Sequence, residues 1–226
     1  MRKLATFNIR AGMGMDGNFD IKRVSDKVST IVADFIALQE VDKYLSRSNR
    51  IDEAQTIAEA ANMYYEFAKA IDYDGGEYGV ALLSKEKPMN VEKIPLPGRE
   101  EARMLLICEF ENIVVCCTHL SLTEADQIAS VEVIKKALSN KYDKPIFIMG
   151  DFNAQPFSCV IKAFEESFDI ISCTTKSTFP ANKPEICIDY IMQLKDKRFD
   201  VKVSDEYVDN DREASDHLYV SVSVEV

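Results

Sequence analysis

Six short segments carry the side chains that could do chemistry. Asn8 closes the alternating run at the start of the chain, Glu40 follows Ala37-Leu38-Gln39, and His119 closes the run Val114 to Thr118. The apolar stretch Ile146 to Met149 leads directly into Gly150-Asp151-Phe152-Asn153, and Ile186-Cys187-Ile188-Asp189-Tyr190-Ile191 sets an acid among apolar residues. Ser215-Asp216-His217 places an acid beside one of only two histidines in the chain. Polar groups at strand ends are positioned to converge, and carboxylates and imidazoles are the groups that move protons. Neither Asp151 nor Asp189 stands where solubility would put a charge. The six cysteines lack the CxxC or Cys/His spacing that a structural zinc needs.

The elements that must position these groups follow from periodicity. A first strand spans residues 1–10. Ile21, Val24, Val28, Ile31 and Val32 recur at helical spacing behind a candidate N-cap, Asp20. Phe35 to Gln39 is a short strand, ended by Glu40. Asp52 to Met63 reads as helix and Tyr64 to Ala68 as strand, which completes a β-α-β-α-β opening. Strands are then expected at Val80–Ser84, Met89–Ile94, Ala102–Phe110 and Ile113–Thr118, with Glu111-Asn112 as the hairpin turn of the last pair. A helix from Thr123 to Ser139, with Asp126 three residues after its cap, precedes the strand Pro145–Met149. A further helix is expected over Pro156–Phe168, and strands over Cys187–Gln193, Asp200–Tyr207 and Leu218–Val224. So many strands with helices in both halves imply a four-layer α/β/β/α sandwich of two packed mixed sheets, with residues 1–226 as a single domain.

Composition bounds the partners. Lys and Arg number 27 against 38 Asp and Glu, a net charge of −11 with a pI near 4.8. A polyanion binder usually presents a basic face, and this chain does not advertise one. No run is long enough to span a bilayer, and the N-terminal residues lack the apolar core of a secretion signal. The cysteines fall mostly inside apolar runs, so reduced, buried thiols and a cytoplasmic setting are expected.

Taken in order, Asn8, Gln39-Glu40, Thr118-His119-Leu120, Gly150-Asp151-Phe152-Asn153, Ile188-Asp189-Tyr190 and Ser215-Asp216-His217 resemble the motifs of the endonuclease/exonuclease/phosphatase superfamily, the DNase I-like metal-dependent phosphoesterases. Each tripeptide alone is weak; six in the right order are specific. Tyr78-Gly79 with Leu82-Leu83-Ser84 is similar to the segment bearing a phosphate-facing tyrosine, and Arg103 matches an arginine ahead of the hairpin. The resemblance implies that Glu40 is the principal metal ligand, with Asn8 near the same ion and Asp216 close by. It implies that Asp151 and Asn153 touch the attacking water and the phosphate, that His119 and His217 face phosphate oxygens, and that Asp189 pairs with His217. Mg2+, with Mn2+ as the alternative, suits such oxygen ligands, because the hard cation keeps several waters and binds through one or two carboxylates plus substrate phosphate. Whether Asp151 or His217 takes the proton from water is left open by the sequence.

Plainer readings stand beside these. Asn8 and Glu40 alone would be a cap and a solvated strand end, His119 a satisfied core histidine, and Asp189 the partner of an unseen arginine. Tyr78 could pack and Arg103 could sit on the surface. Arg47, in the charged loop after Glu40, is either solvated or reaches the substrate's second group. Membership in the ordered set favours the functional readings of Asn8, Glu40, His119 and Asp189; Tyr78 and Arg103 stay open, and for Arg47 the solvated surface is the simpler reading. The expected activity is hydrolysis of a phosphodiester or phosphomonoester of a small molecule or lipid head group. A nuclease of the same superfamily is the alternative, and would need a basic strip from Lys43, Arg47, Arg50, Arg99 and Arg103. A non-catalytic binding member is the third reading; it would typically have lost a metal carboxylate or the Asp-His pair, and here all are present. Substrate identity and oligomeric state are not legible.

Overall fold

The computed structural model describes residues 1–139 and 141–225. Two six-stranded sheets pack face to face. The first contains β1 (Arg2–Asn8), β2 (Phe35–Lys43), β3 (Tyr64–Tyr73), β4 (Gly76–Ser84), β11 (Lys202–Val208) and β12 (Val220–Glu225), in the order β11-β12-β1-β2-β4-β3. The second contains β5 (Asn90–Leu96), β6 (Arg103–Glu109), β7 (Val114–His119), β8 (Ile146–Asp151), β9 (Phe168–Ile170) and β10 (Asp189–Leu194), in the order β5-β6-β7-β8-β10-β9. Helices α1 (Ile21–Thr30) and α2 (Glu53–Ala61) cover the outer face of the first sheet, and α3 (Glu124–Leu138) and α4 (Cys159–Glu165) that of the second. This is the expected α/β/β/α sandwich.

The alternation of β-strand side chains assigns each residue a layer. Phe35, Ala37, Cys117, Phe147, Met149 and Ile191 enter the core between the sheets, whereas Ile36 and Leu38 face α1 and α2, and Cys116 and Ile148 face α3 and α4. Both faces of the central strands are therefore apolar, which is why Ile146 to Met149 reads as an unbroken run.

Two parallel pairs, β1–β2 and β7–β8, direct the ends of their strands to one edge of the sandwich. In open sheets of this kind ligands bind beyond the carboxyl ends of parallel strands. Gly150, in β8, is held to glycine by that pairing, since a Cβ would lie 2.0 Å from the Thr118 carbonyl oxygen on β7.

Most expected elements are present, with differences that have local causes. Asp20 caps α1 by accepting from the Arg23 amide at 3.1 Å, but Val32 lies beyond the helix and is exposed. Thr123 stands at the N-cap of α3 without a side-chain cap bond, because its Oγ1 turns to Glu100 and Asp126 is bound by Arg99. Ser158, accepting from the Ile161 amide, starts α4 three residues later than Pro156 would, and the chain beyond Glu165 leaves the helix for β9. Glu40 does not end β2, which runs on to Lys43 through a β-bulge. The β3–β4 hairpin extends to Tyr73 and Gly76, well past the apolar cores that mark it in the sequence. Of the cysteines, Cys108, Cys116, Cys117 and Cys187 are buried free thiols, whereas Cys173 is partly exposed and Cys159 is on the surface. Among the described residues no helix is long and apolar enough to cross a membrane.

Candidate active site

At the edge where the parallel strands end, three residues stand side by side across the second sheet. His119 pairs in register with Asp151, and Asp151 with Asp189. They share the parity of Cys117, Met149 and Ile191, so all three side chains face the first sheet. Asn8 shares the parity of Leu4 and meets them from β1. By plain alternation Glu40 would point outward beneath α2. The bulge between Leu38 and Val41 inserts one residue, and Glu40 takes a left-handed φ of 55°. That conformation costs a non-glycine residue ~1 kcal/mol, and it re-aims the carboxylate into the site.

The side chains then converge on one oxygen. Asn8 donates through Nδ2 to Glu40 Oε1 at 2.9 Å and to Asp151 Oδ2 at 3.1 Å, while its own Oδ1 accepts from the Arg10 amide at 3.0 Å. His119 Nε2 lies 3.5 Å and His217 Nε2 3.7 Å from the same Asp151 Oδ2. The other Asp151 oxygen accepts from the Asn153 amide at 2.9 Å. His217 is fixed from behind, its Nδ1 donating to Asp189 Oδ2 at 3.0 Å. Its ring packs on Phe179 at 4.8 Å, and Ser215 ties its backbone to the carbonyl of Asn8.

The two histidines differ in charge. Burial pushes His119 well below its ordinary range, helped by the nearby cations Arg103 and His217, so it is neutral. Burial would also lower His217, but the Asp189 and Asp151 carboxylates outweigh it and raise the imidazole far above neutrality. Asp151 is raised above the ordinary carboxylate range, chiefly by desolvation, which the charge of His217 only partly offsets. Tyr78 is raised by burial and then by Glu40 and Glu101, so its phenol keeps its proton.

A cavity of about 430 Å3 opens over these groups, lined by Glu40, Tyr78, Arg103, His119, Asp151, Asn153, Asp216 and His217 from the sequence-derived set. Asn8 and Asp189 lie directly beneath, fully buried. Asp216 is partly exposed, with Arg10 Nε 3.3 Å from its Oδ2. Asn153 is held by its Nδ2 donating to the Leu120 carbonyl at 3.0 Å. Arg47 does not line the cavity: it is clamped on buried Asp42 by two bonds of 2.7 Å, with its guanidinium over the Tyr73 and Tyr78 rings. Its positive charge reaches the site only through space and through the packing of Tyr78.

The cavity also contains Glu101, Leu122, Gln155 and Phe179, which motif reading did not single out, and Ile186 and Ile188, which it named only as the apolar setting of Asp189. Glu101 has the one visible signal, its position two residues before Arg103. Phe179 and Ile186 meet through an isolated bridge between distant loop residues, which no local periodicity announces.

Two packed mixed sheets with helices outside make a DNase I-like sandwich, and a buried cluster of acids, histidines and an amide lies at their shared edge as its candidate site. The sequence matches the Endonuclease/Exonuclease/phosphatase family over residues 5–217, so the chain belongs to that family of metal-dependent phosphoesterases. No curated protein matches the chain. Among solved structures it is similar to an endonuclease/exonuclease/phosphatase from Bacteroides vulgatus, at 17% identity with a TM-score of 0.81, over 100% of this chain and 98% of that one. It is similar to a mannosyl-6-phosphatase from Bacteroides thetaiotaomicron, at 17% identity with a TM-score of 0.75 over 100% of both chains. It is also similar to D. rerio TDP2 complexed with single strand DNA product, at 15% identity with a TM-score of 0.76, over 100% and 99% of the two chains.

Proposed function

We propose that this protein hydrolyses a phosphodiester or phosphomonoester of a small molecule or lipid head group, with Mg2+ as its metal and Mn2+ as a substitute. The convergence of Asn8, His119 and His217 on Asp151 Oδ2, under a cavity of only about 430 Å3, is the observation that carries the reading. The donor set fits a hard dication. Glu40 and Asp151 are held on the same amide nitrogen, Asp216 lines the same cavity, and among the described residues no thiol lines it.

Glu40 would be the principal ligand, with Asp216 beside it; Asn8 turns its Nδ2 to the carboxylates and its Oδ1 to the Arg10 amide, so it would offer the ion an oxygen only by flipping its amide. Asp151, Asp189 and His217 also offer ligand atoms within 4.8 Å of one another. His217 is already bonded to Asp189 through one nitrogen and held as a cation, so that trio serves proton chemistry better than metal binding. A bound dication would polarise the phosphoryl group and offset charge that develops during in-line displacement. The protein's own groups do the rest. Asp151, with its raised proton affinity, takes the proton of the attacking water. The His217 imidazolium, oriented by Asp189, holds a non-bridging oxygen. His119, Asn153 and the protonated Tyr78 supply hydrogen bonds to the phosphate.

Small substrates are favoured over duplex DNA because four of the five residues that a basic strip would need are already paired with acids, Arg50 being the exception. Lys43 binds Asp52, Arg47 binds Asp42, Arg99 binds Asp126, and Arg103 binds Glu101. The mannosyl-6-phosphatase neighbour is in keeping with this, while the TDP2 neighbour keeps the nuclease as the second reading. The test is a panel containing a diester, a monoester, a sphingomyelin or inositide and plasmid DNA, assayed with Mg2+ and with chelator. Metal-dependent turnover of a small ester is expected. No turnover of any ester, or turnover untouched by excess EDTA after dialysis, would overturn the proposal.

A further inference from the structure

Arg103 opens β6 with its side chain buried at the floor of the cavity. Its NH1 lies 3.1 Å from His119 Nδ1 and 3.0 Å from Glu101 Oε1. A guanidinium can only donate, so the ring nitrogen it touches must be the unprotonated one. His119 therefore carries its single ring proton on Nε2, the nitrogen that faces Asp151 Oδ2 at 3.5 Å.

His217 is arranged the opposite way. Its Nδ1 meets a carboxylate, which can only accept, so that nitrogen is protonated and the partner favours the cation. One histidine is backed by a donor and the other by an acceptor, on either side of the same aspartate oxygen.

We propose that Arg103 is a positioning residue which fixes His119 as a neutral imidazole with an Nε2–H donor for the phosphate, leaving acid–base work to Asp151 and His217. In this role Arg103 does not itself grip the phosphate. NH1 faces His119 at hydrogen-bond distance, and the Glu101 carboxylate beside it pairs with the guanidinium by charge and anchors it in turn. A second cation at His119 would compete with the dication for the same phosphate oxygens; a neutral N–H adds a hydrogen bond without that competition. The kinetic part of the proposal rests on the phosphoesterase reading given above, and the tautomer does not.

The first measurement is a long-range 1H–15N correlation spectrum of histidine-labelled, metal-free protein at pH 7.5, with the two rings distinguished by His217→Gln. The wild type should show His119 as the neutral Nε2–H tautomer and His217 protonated on both nitrogens. Arg103→Lys, which also only donates, should keep the His119 tautomer, and Arg103→Met should lose it. An imidazolium or an Nδ1–H tautomer at His119 in the wild type would overturn the proposal without any substrate. The second is a double-mutant cycle on kcat/KM for a small phosphate ester. Arg103→Met should lower it by roughly 10- to 100-fold when His119 is present, on the scale of a positioned proton-bearing group, and by no more than about 2-fold, the usual limit of additivity error, in the His119→Ala background. Equal losses in both backgrounds would mean that Arg103 contacts the phosphate directly, and would overturn its role as a positioning residue. Should Arg103→Met fail to fold by circular dichroism, the wild-type and Arg103→Lys spectra decide the question.

Discussion

Asn8, the last residue of β1, donates to Asp151, the last residue of β8, at 3.1 Å, and this bond joins the two sheets at the point where the candidate site lies. The same Nδ2 also holds Glu40, so one amide sets the spacing of two carboxylates that would otherwise repel each other. Asn8→Ala leaves a buried carboxylate without its donor, and should cost about 1 to 3 kcal/mol of stability, the usual penalty for orphaning a buried polar group. Urea unfolding of the metal-free protein measures it. A loss below ~0.5 kcal/mol would mean that the bond is dispensable.

Asp151→Asn and His217→Ala should each lower kcat by about a hundredfold to ten-thousandfold, the scale for removing a positioned acid or base. Far-UV circular dichroism should be unchanged, because both residues sit at the edge of the sandwich and outside its apolar clusters. Near wild-type kcat in either variant would show that the roles are wrongly assigned.

Glu40→Gln should mainly raise the metal concentration needed for half-maximal rate. The amide keeps an oxygen toward the ion but loses the charge that holds a hard dication. An unchanged metal titration would remove Glu40 from the ion's ligands.

The path from sequence to this site is uneven, and the reasons are physical. Asn8, His119 and Asp151 were legible because each closes an apolar strand, where alternation breaks at a residue too polar for the core. Glu40 was legible as a residue but not in its setting. A bulge inserts one residue without changing the apolar pattern on either side, so β2 reads as ending where it turns. Arg47 and Arg103 show the limit more sharply. Both are arginines near the motif set, and only tertiary contacts tell that Asp42 holds one outside the cavity while His119 receives the other inside it. The two-sheet architecture was legible from strand count, but the lengths of the β3–β4 hairpin and of α4 depended on exposed polar residues with no periodic signal.

The buried Asp189–His217 pair gives stability a pH signature. The folded state raises the His217 pKa above its unfolded value near 6.5. The pair's contribution is therefore fully present below about pH 6.5 and is lost as pH climbs through the folded pKa, near 10. Asp189→Asn should cost about 3 to 5 kcal/mol at neutral pH, as for one member of a buried ion pair, and progressively less toward pH 10. Urea midpoints for wild type and variant across that range test it; a penalty that grows with pH would contradict the charge assignment.

Substrate class should appear in the salt dependence of turnover. The net charge of −11 repels a long polyanion, and Lys43, Arg47, Arg99 and Arg103 each bind an acid of this chain already. An enzyme that grips DNA through several lysine and arginine contacts loses affinity steeply, with a log–log slope near −0.9 for each phosphate neutralised. A small ester offers one or two phosphates, engaged in a confined cavity by His119, Asn153, His217 and the ion, where mobile salt screens little. The KM for the best small substrate should therefore change by no more than roughly a few fold between low and physiological salt. The measurement is kcat/KM for a small diester and for plasmid DNA across a salt series at fixed Mg2+. Efficient, steeply salt-dependent nicking of plasmid, with negligible turnover of every small ester, would reject the small-substrate reading and promote the nuclease.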